Sequence, residues 1–169
     1  MNAADSSKIT ETSLAGGTAP ALAQPLPTTA STKDRTMNSI SINIDIAKAY
    51  IKAVQTNDQA TLGSIISPDV IWHQPGKNRF SGTHQGMAAV GPMLGTMMEV
   101  SKGTFALTRA DHYMANGDWV AITIEFAGEA NGMKLKQAGV DLVRIEGGKI
   151  VELRLFSSDQ AQEVLFWGR

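Results

Sequence analysis

The residue of greatest chemical interest is an aspartate inside a run of apolar residues near the end of the chain. Asp141 lies between Val140 and Leu142 in the segment GVDLVRIEGGKIVELRLF. A buried carboxylate without a partner costs on the order of 3 to 7 kcal/mol, so such a group is usually paired, protonated or turned to solvent. If Asp141 faces an apolar cavity, desolvation raises its pKa, and the neutral carboxyl group can donate a hydrogen bond to an oxygen that gains charge.

The histidines are the next candidates for proton transfer, because an unperturbed imidazole has a pKa of about 6.5. His73, His84 and His112 show neither the HxH nor the HxxxH spacing, so no metal site is predicted. Strand alternation turns His73 outward if Trp72 and Gln74 face inward, whereas a kink before the following proline would bring it into a pocket. Both orientations stay open, and an outward His73 would be a sheet-face histidine at a dimer contact.

Composition restricts the class of protein. The chain has 169 residues, of which 43% are apolar and 18% charged, and its net charge is −1, which suits one soluble domain. The near-neutral balance argues against a nucleic-acid partner, and no apolar run approaches the roughly 18 residues of a membrane span. The absence of cysteine excludes disulfides, thiolate metal sites and a cysteine nucleophile. We expect a cytoplasmic protein without a cofactor.

The first 36 residues differ from the rest of the chain. They are rich in Ala, Thr, Ser and Pro and contain no aromatic residue. Such a segment cannot bury enough apolar surface to offset the entropy lost on ordering. The stretch ALAQP resembles a signal-peptidase site, but neither a cationic start nor a continuous apolar region precedes it. We predict a disordered tail over residues 1–36 and a single domain over residues 37–169.

Helices are predicted first along the domain. NIDIAKAYIKAVQTND has apolar side chains four residues apart, Tyr50 among them, which predicts an amphipathic helix capped by Asn43 or Asp45. The pair Asn57-Asp58 ends this helix and caps a second one, QATLGSII. After the short strand DVIWHQP and the loop GKNRFSGTHQG, the segment MAAVGPMLGTMMEV is predicted to form a third helix.

Strands are predicted for the second half, separated by the turns ANGD, ANGM and EGGK, whose Gly and Asn residues favour tight reversals. Their predicted ranges are 103–114, 118–130, 133–146 and 149–157. Helices followed by a strand meander indicate an α+β fold with one curved antiparallel sheet.

The register of the last hairpin decides where Asp141 points. A two-residue glycine turn would place Asp141 opposite Arg154, on a mixed face. A three-residue loop from Glu146 to Gly148, with Gly148 in the left-handed conformation of a bulge, places it opposite Leu153 instead. The second register separates apolar from charged side chains far better. We therefore predict the three-residue loop and an Asp141 on the apolar concave face.

Two stretches of the chain resemble a known family. DVIWHQPGKNRFSGTHQG resembles the Trp-His strand, Pro-Gly turn and glycine-spaced helix entry of SnoaL-like proteins, and GGKIVELRLFSSDQAQEVLFWG is similar to their closing hairpin and aromatic ending. Residues 43–167 thus look like the nuclear-transport-factor-two-like superfamily, and within it like the SnoaL-like and ketosteroid-isomerase-like proteins. The resemblance implies a cone-shaped fold, in which a curved antiparallel sheet wraps around three N-terminal helices.

The same resemblance implies roles for several residues. AYIKAV is similar to the segment that carries the oxyanion-hole tyrosine of ketosteroid isomerase, here Tyr50, and VDLVRI to the strand of its protonated aspartic acid, here Asp141. That pair is the standard case of a carboxylic acid kept neutral by an apolar site. The isomerase's general base corresponds to Gln74, and the acid/base residue of SnoaL-like cyclases to Leu155, and neither residue can accept a proton. His73 could supply the missing base.

The remaining residues of the predicted pocket are substrate-binding. Trp72 is predicted to be a pocket wall and Phe80 a lid or rim, with Gln74 and Leu155 in contact with the substrate. Methionines suit a pliable apolar cavity, although they are more often soft packing. Tyr50 could equally be a core residue whose hydroxyl group reaches any convenient partner, and Asp141 could be neutralised by Tyr50 or Gln137.

Two functions from different classes stay open. The first is an isomerase- or cyclase-type enzyme acting on a small apolar carbonyl compound, in which Tyr50 and Asp141 stabilise an enolate-like oxygen and His73 moves the proton. The second is a non-catalytic domain that binds a small apolar ligand. A homodimer is expected in either case. The convex strands 104–114 and 118–126 carry more apolar residues than one concave face can hide, namely Phe105, Leu107, Val120, Ile122 and Ile124.

Overall fold

The amphipathic segment around Tyr50 forms part of the first helix of the computed structural model, which describes residues 32–169 and the side chains of residues 37–169. The elements follow in chain order: α1 Thr32–Thr56, α2 Gln59–Ile65, β1 Ile66–Gln74, β2 Gly82–Gln85, α3 Met87–Val100, β3 Ala106–Asn116, β4 Trp119–Ala130, β5 Met133–Glu146, β6 Lys149–Ser157 and α4 Gln160–Trp167.

The first helix begins earlier than predicted. Asn43 and Asp45 lie inside α1, which starts at Thr32, so the prediction that they cap it is wrong. No Pro or Gly occurs between residues 32 and 42 to stop the helix. Residues 1–31 of the predicted tail lie outside the described residues, and residues 32–36 belong to α1.

The other two N-terminal helices agree with the prediction. Asp58 caps α2 by accepting a hydrogen bond from the backbone N–H of Thr61 at 3.0 Å, which satisfies one of the free donors of the first turn. Residues 87–100 form α3, although Pro92 lies inside it. No helix within residues 32–169 is long and apolar enough to span a bilayer.

One six-stranded sheet runs in the order β2-β1-β6-β5-β4-β3. Strands β3 to β6 are joined by short turns, and each of them pairs antiparallel with the next one along the chain. The predicted curved antiparallel sheet is present with one exception: strand β1 pairs parallel with β6, so the sheet is mixed. Turn residues specify the direction of strands that follow one another, but β1 and β6 are far apart in sequence and no turn links them.

The β5–β6 hairpin reaches the predicted orientation of Asp141 by a different route. Gly147 and Gly148 both have positive φ angles, 55° and 77°, and form a two-residue turn closed by the pair Glu146 and Lys149, so the predicted three-residue loop is wrong. A bulge between the pairs Ile145–Ile150 and Arg144–Glu152 then shifts the register by one residue. As a result Asp141 lies opposite Leu155 and points to the concave face, as predicted.

The concave face of the sheet is covered by α1, α3 and α4 and contains the core. Val120 and Ile122 are fully buried there and Ile124 is 7% exposed, while Phe105 and Leu107 pack against the same cluster. The expectation that these five residues exceed what the concave face can hide is therefore wrong, because a single chain buries three of them and partly buries Phe105 and Leu107. The T-shaped contact of Trp167 with Phe105, at 4.9 Å between ring centroids, holds α4 against this core.

Candidate functional site

Asp141 is buried and only half satisfied. Its side chain is 1% exposed, and its Oδ2 accepts a hydrogen bond from the hydroxyl group of Tyr50 on α1 at 3.4 Å. This bond is longer than the roughly 2.7 Å typical of O–H···O bonds and is correspondingly weak. Oδ1 has no hydrogen-bond partner among the described residues. The predicted pairing of Asp141 with Tyr50 is present, and the other carboxyl oxygen has no partner among the described residues.

The surroundings keep both groups in their neutral forms. Burial raises the pKa of Asp141 from 3.8 to about 7, against the opposing effect of the hydrogen bond from Tyr50. Burial also raises the pKa of Tyr50 well above its ordinary value, and the nearby Asp141 raises it further. Near and below neutral pH, a protonated Asp141 can therefore donate a hydrogen bond while Tyr50 keeps its proton.

These two residues line a cavity of about 520 Å³ between the concave face of the sheet and the helices. Pockets that hold small ligands measure about 300 to 1,000 Å³ and combine apolar walls with a few polar groups. Tyr50, Asp141, Gln74 and Glu163 are among the polar groups of this cavity. Its apolar walls include Val54, Leu62, Trp72, Leu94, Met97, Met98, Phe105, Leu107, Ile124, Phe126 and Leu155.

Trp72 and Gln74 lie in the cavity wall on β1, as strand alternation predicts. The indole Nε1 of Trp72 donates a hydrogen bond to Oε1 of Gln74 at 3.0 Å, so the amide group of Gln74 is held in place and presents its N–H donors elsewhere. An amide accepts no proton near neutral pH, so Gln74 can orient a ligand but cannot act as a general base. Leu155, opposite Asp141, also lines the cavity.

His73 points away from the cavity. Its Nε2 lies 3.0 Å from Oε1 of Glu152 and its Nδ1 lies 3.1 Å from the hydroxyl group of Thr83, on the other face of the sheet. Glu152 also forms ion pairs there with Arg144 and Arg154. The prediction that His73 supplies the base is wrong, because Pro75 follows β1 without disturbing the alternation at position 73.

Phe80 does not line the cavity. It is 5% exposed and packs edge-on against Trp167 of α4, with 5.3 Å between the ring centroids. The prediction of a lid or rim is wrong, because the loop after β1 folds back onto the C-terminal helix. Gln137 does not neutralise Asp141 either, since its amide group binds the backbone N–H and C=O of Asp159 at 2.9 and 3.2 Å.

The cavity contains one acidic residue that sequence reasoning missed. Glu163 on α4 is 3% exposed and lines the cavity, and its Oε2 has no hydrogen-bond partner among the described residues. Burial raises the pKa of Glu163, while a hydrogen bond with Ser157 lowers it. The signal was present in the sequence: Glu163 precedes Phe166 and Trp167 by three and four residues, which places all three on one face of a helix.

Comparison with known proteins now decides the family. The model of the SnoaL-like domain matches residues 47–153, which is more than half of the chain. The chain belongs to the SnoaL-like domain family. This confirms the predicted resemblance to SnoaL-like proteins of the nuclear-transport-factor-two-like superfamily and their α+β fold.

Individual relatives agree with this assignment. A solved protein of unknown function with a cystatin-like fold from Xanthomonas campestris is 77% identical, covers 75% of this chain and 98% of its own, and has a TM-score of 0.74. An uncharacterised protein of Mycobacterium tuberculosis is 29% identical over 126 residues, which are 74% of this chain and 95% of that protein. A solved putative polyketide cyclase from Xanthomonas campestris pv. campestris shares the fold, with a TM-score of 0.62, 17% identity and coverage of 77% and 99%.

Proposed function

We propose that this SnoaL-like protein binds a small apolar carbonyl or phenolic compound in the cavity and stabilises negative charge on its oxygen through Asp141 and Tyr50. The observation that carries the proposal is the free Oδ1 of a buried Asp141 whose pKa is raised to about 7. A neutral carboxyl group at this position donates to an anionic oxygen without being repelled by it. The apolar walls match the rest of such a ligand.

The reaction class that fits these groups is enolisation of the isomerase or cyclase type. A preorganised donor in a site shielded from water stabilises an enolate far more than it stabilises the parent ketone, which lowers the barrier to removal of a proton. The fold shared with a putative polyketide cyclase agrees with this class, although identity of 17% supports the fold alone.

A non-catalytic binding protein is the second candidate. The amide of Gln74, locked by Trp72, supports it, because that position carries no proton acceptor. In this case Asp141 and Tyr50 would only orient the polar group of a ligand.

Titration with a phenolate dye tests the proposal. A nitro-substituted naphthol, whose neutral and ionised forms absorb at different wavelengths, is titrated into the wild type, Asp141→Asn and Asp141→Leu. Asp141→Asn keeps a donor and the shape of the side chain, so the affinity should persist. Asp141→Leu removes the donor and should weaken binding by about 1 to 3 kcal/mol. Equal affinity of all three proteins would show that Asp141 does not contact the ligand oxygen.

The affinity should also depend on pH. As the pH rises through about 7, Asp141 ionises and repels the phenolate, so the wild type should bind the ionised dye more weakly. Asp141→Asn has no charge to gain and should keep its affinity over the same range. Parallel profiles of the two proteins would contradict the role given to the protonated form.

We further propose that the protein is a cytoplasmic homodimer. The support for a dimer is now the exposure of two large apolar side chains of the sheet, Met114 at 55% and Phe156 at 51%. Light scattering at micromolar concentration should give twice the mass of one chain, and a monomeric mass would contradict the proposal.

A further inference from the structure

The cavity contains a second buried carboxyl group that the proposed function does not use. Glu163 is 3% exposed and lines the cavity, and its Oε2 has no hydrogen-bond partner among the described residues. A buried carboxyl group without a cation nearby costs free energy, and no ion pair involves Glu163 in the described part of the chain. Packing alone would favour an apolar residue at this position.

The helix that carries Glu163 is held by an N-terminal cap and by hydrogen bonds from two other parts of the chain. Asp159 caps α4 through a hydrogen bond from the N–H of Gln162, and the amide of Gln137 holds both backbone groups of Asp159. Further along, Asn131 donates to the carbonyl oxygen of Phe166 at 3.2 Å. Gln137 lies on β5 and shares the concave face with Asp141 by alternation. Strand β5 thus carries Asp141 and, through Gln137, positions the helix of Glu163, so that both carboxyl groups belong to the same cavity.

The titratable groups of the cavity divide into donors and one acceptor. Among the described residues that line the cavity, only Tyr50, Asp141 and Glu163 have titratable side chains. Gln74 and Leu155, which also line it, neither gain nor lose a proton near neutral pH. Tyr50 keeps its proton, and Asp141 keeps its proton below about pH 7, so both can serve as donors there. Glu163 is the remaining group that can accept a proton.

We propose that Glu163 is the general base of this site and removes a proton from the carbon next to the carbonyl group of the bound ligand. This inference rests on the proposed function, because it requires a carbonyl oxygen held by Asp141 and Tyr50. Burial raises the pKa of Glu163, which makes its carboxylate a stronger base than an exposed one.

The step balances within the site. The C–H bond of the α-carbon breaks, and its proton bonds to Oε2 of Glu163. The electron pair forms a C=C bond, and the carbonyl π electrons move to the oxygen, which becomes an enolate that accepts hydrogen bonds from Asp141 and Tyr50. Return of the proton from Glu163 to another carbon completes an isomerisation. When a deuteron from D₂O replaces the proton on Glu163 before the transfer back to the same carbon, the result is exchange, and no oxidant or other co-reactant is needed.

Deuterium exchange into 2-tetralone, a two-ring ketone with acidic α-hydrogens, tests this role. NMR in D₂O follows the loss of the α-proton signals with the wild type, Glu163→Gln and the control Glu99→Gln, which removes an exposed carboxyl group on α3. Glu163→Gln should slow the protein-dependent exchange by about 100-fold or more, within the range that general bases contribute. Glu99→Gln should exchange like the wild type.

A second variant and the dye keep the outcomes distinct. Glu163→Asp withdraws the carboxyl group by one methylene and should slow the exchange by about tenfold. This variant replaces Glu163→Gln in the test if Glu163→Gln does not fold. Suppose that the naphtholate dye binds the wild type. The role of Glu163 is then refuted, and the binding proposal stands, if Glu163→Gln exchanges at the wild-type rate or if the wild type shows no exchange above buffer. If the dye does not bind, both fail.

Discussion

The raised pKa of Asp141 makes a direct prediction about stability and pH. A group that binds its proton more tightly in the folded than in the unfolded chain stabilises the fold at low pH. For Asp141 this contribution is complete below the unfolded pKa of 3.8 and is lost as the pH rises through the folded value of about 7. Asp141→Asn has no titrating group at this position, so it should not share that loss.

The magnitude follows from these two pKa values. Between about pH 5 and about pH 8, the free energy of unfolding of the wild type should fall relative to that of Asp141→Asn by about 2.5 kcal/mol. The assay is urea unfolding followed by circular dichroism at several pH values across this range. Subtracting the two curves cancels the titration of every other group that is unaffected by the substitution.

A matched control is available on β1. Asp69→Asn removes a carboxyl group that is exposed to water. Its unfolding curves over the same pH range show the effect of removing a carboxyl group that water solvates. If the unfolding free energy of Asp141→Asn differs from that of the wild type by an amount that is constant with pH, Asp141 is not desolvated in the folded protein, and the assignment of a neutral donor at this position is refuted.

Three further predictions concern the framework around the site. Gly139→Ala should lower the free energy of unfolding by at least about 2 kcal/mol, because a Cβ atom would lie 2.5 Å from the carbonyl oxygen of Phe156. The control Gly95→Ala, in the open part of α3, should be neutral or stabilising, and equal urea midpoints of the two variants would contradict this prediction. His73→Ala should change the dissociation constant of the naphtholate dye by less than about threefold, because His73 lies on the outer face of the sheet. A loss of affinity as large as that of Asp141→Leu would show that His73 contacts the ligand. Removal of residues 1–36 should shift the melting temperature by no more than a few degrees, because their composition offers little to bury; a larger drop in calorimetry would show that they stabilise the domain.

Local sequence patterns predicted much of the fold. The turns ANGD, ANGM and EGGK contain residues that adopt positive φ angles, among them Asn131, Gly132 and Gly147, and they delimit β3 to β6 within a few residues of the prediction. The orientation of Asp141 was also predictable, because burial of an apolar face constrains side-chain parity more strongly than it constrains the details of the turn. The two-residue turn alone would have placed Asp141 opposite Arg154, on the mixed face. The bulge beside Arg144 shifts the register by one residue and places Asp141 on the apolar face.

Long-range features could not be predicted from local patterns. The parallel pairing of β1 with β6 depends on how distant segments pack, and no residue near β1 encodes its direction. Glu163 was overlooked because its role requires knowing that α4 closes the cavity opposite β5. The dimer argument was wrong for a related reason: the capacity of the concave face depends on the bulky rings of Phe166 and Trp167, which α4 adds to the core.

A crystal structure of the protein with the nitro-substituted naphthol would show whether the oxygen of the ligand contacts Asp141. We predict that the ring system lies between the apolar walls of the cavity. The naphthol oxygen should lie about 2.7 Å from Oδ1 of Asp141, the carboxyl oxygen that has no partner among the described residues. Density for the dye on the outer face of the sheet, or inside the cavity with its oxygen turned away from Asp141, would contradict the claim that this carboxyl group binds the ligand's charge.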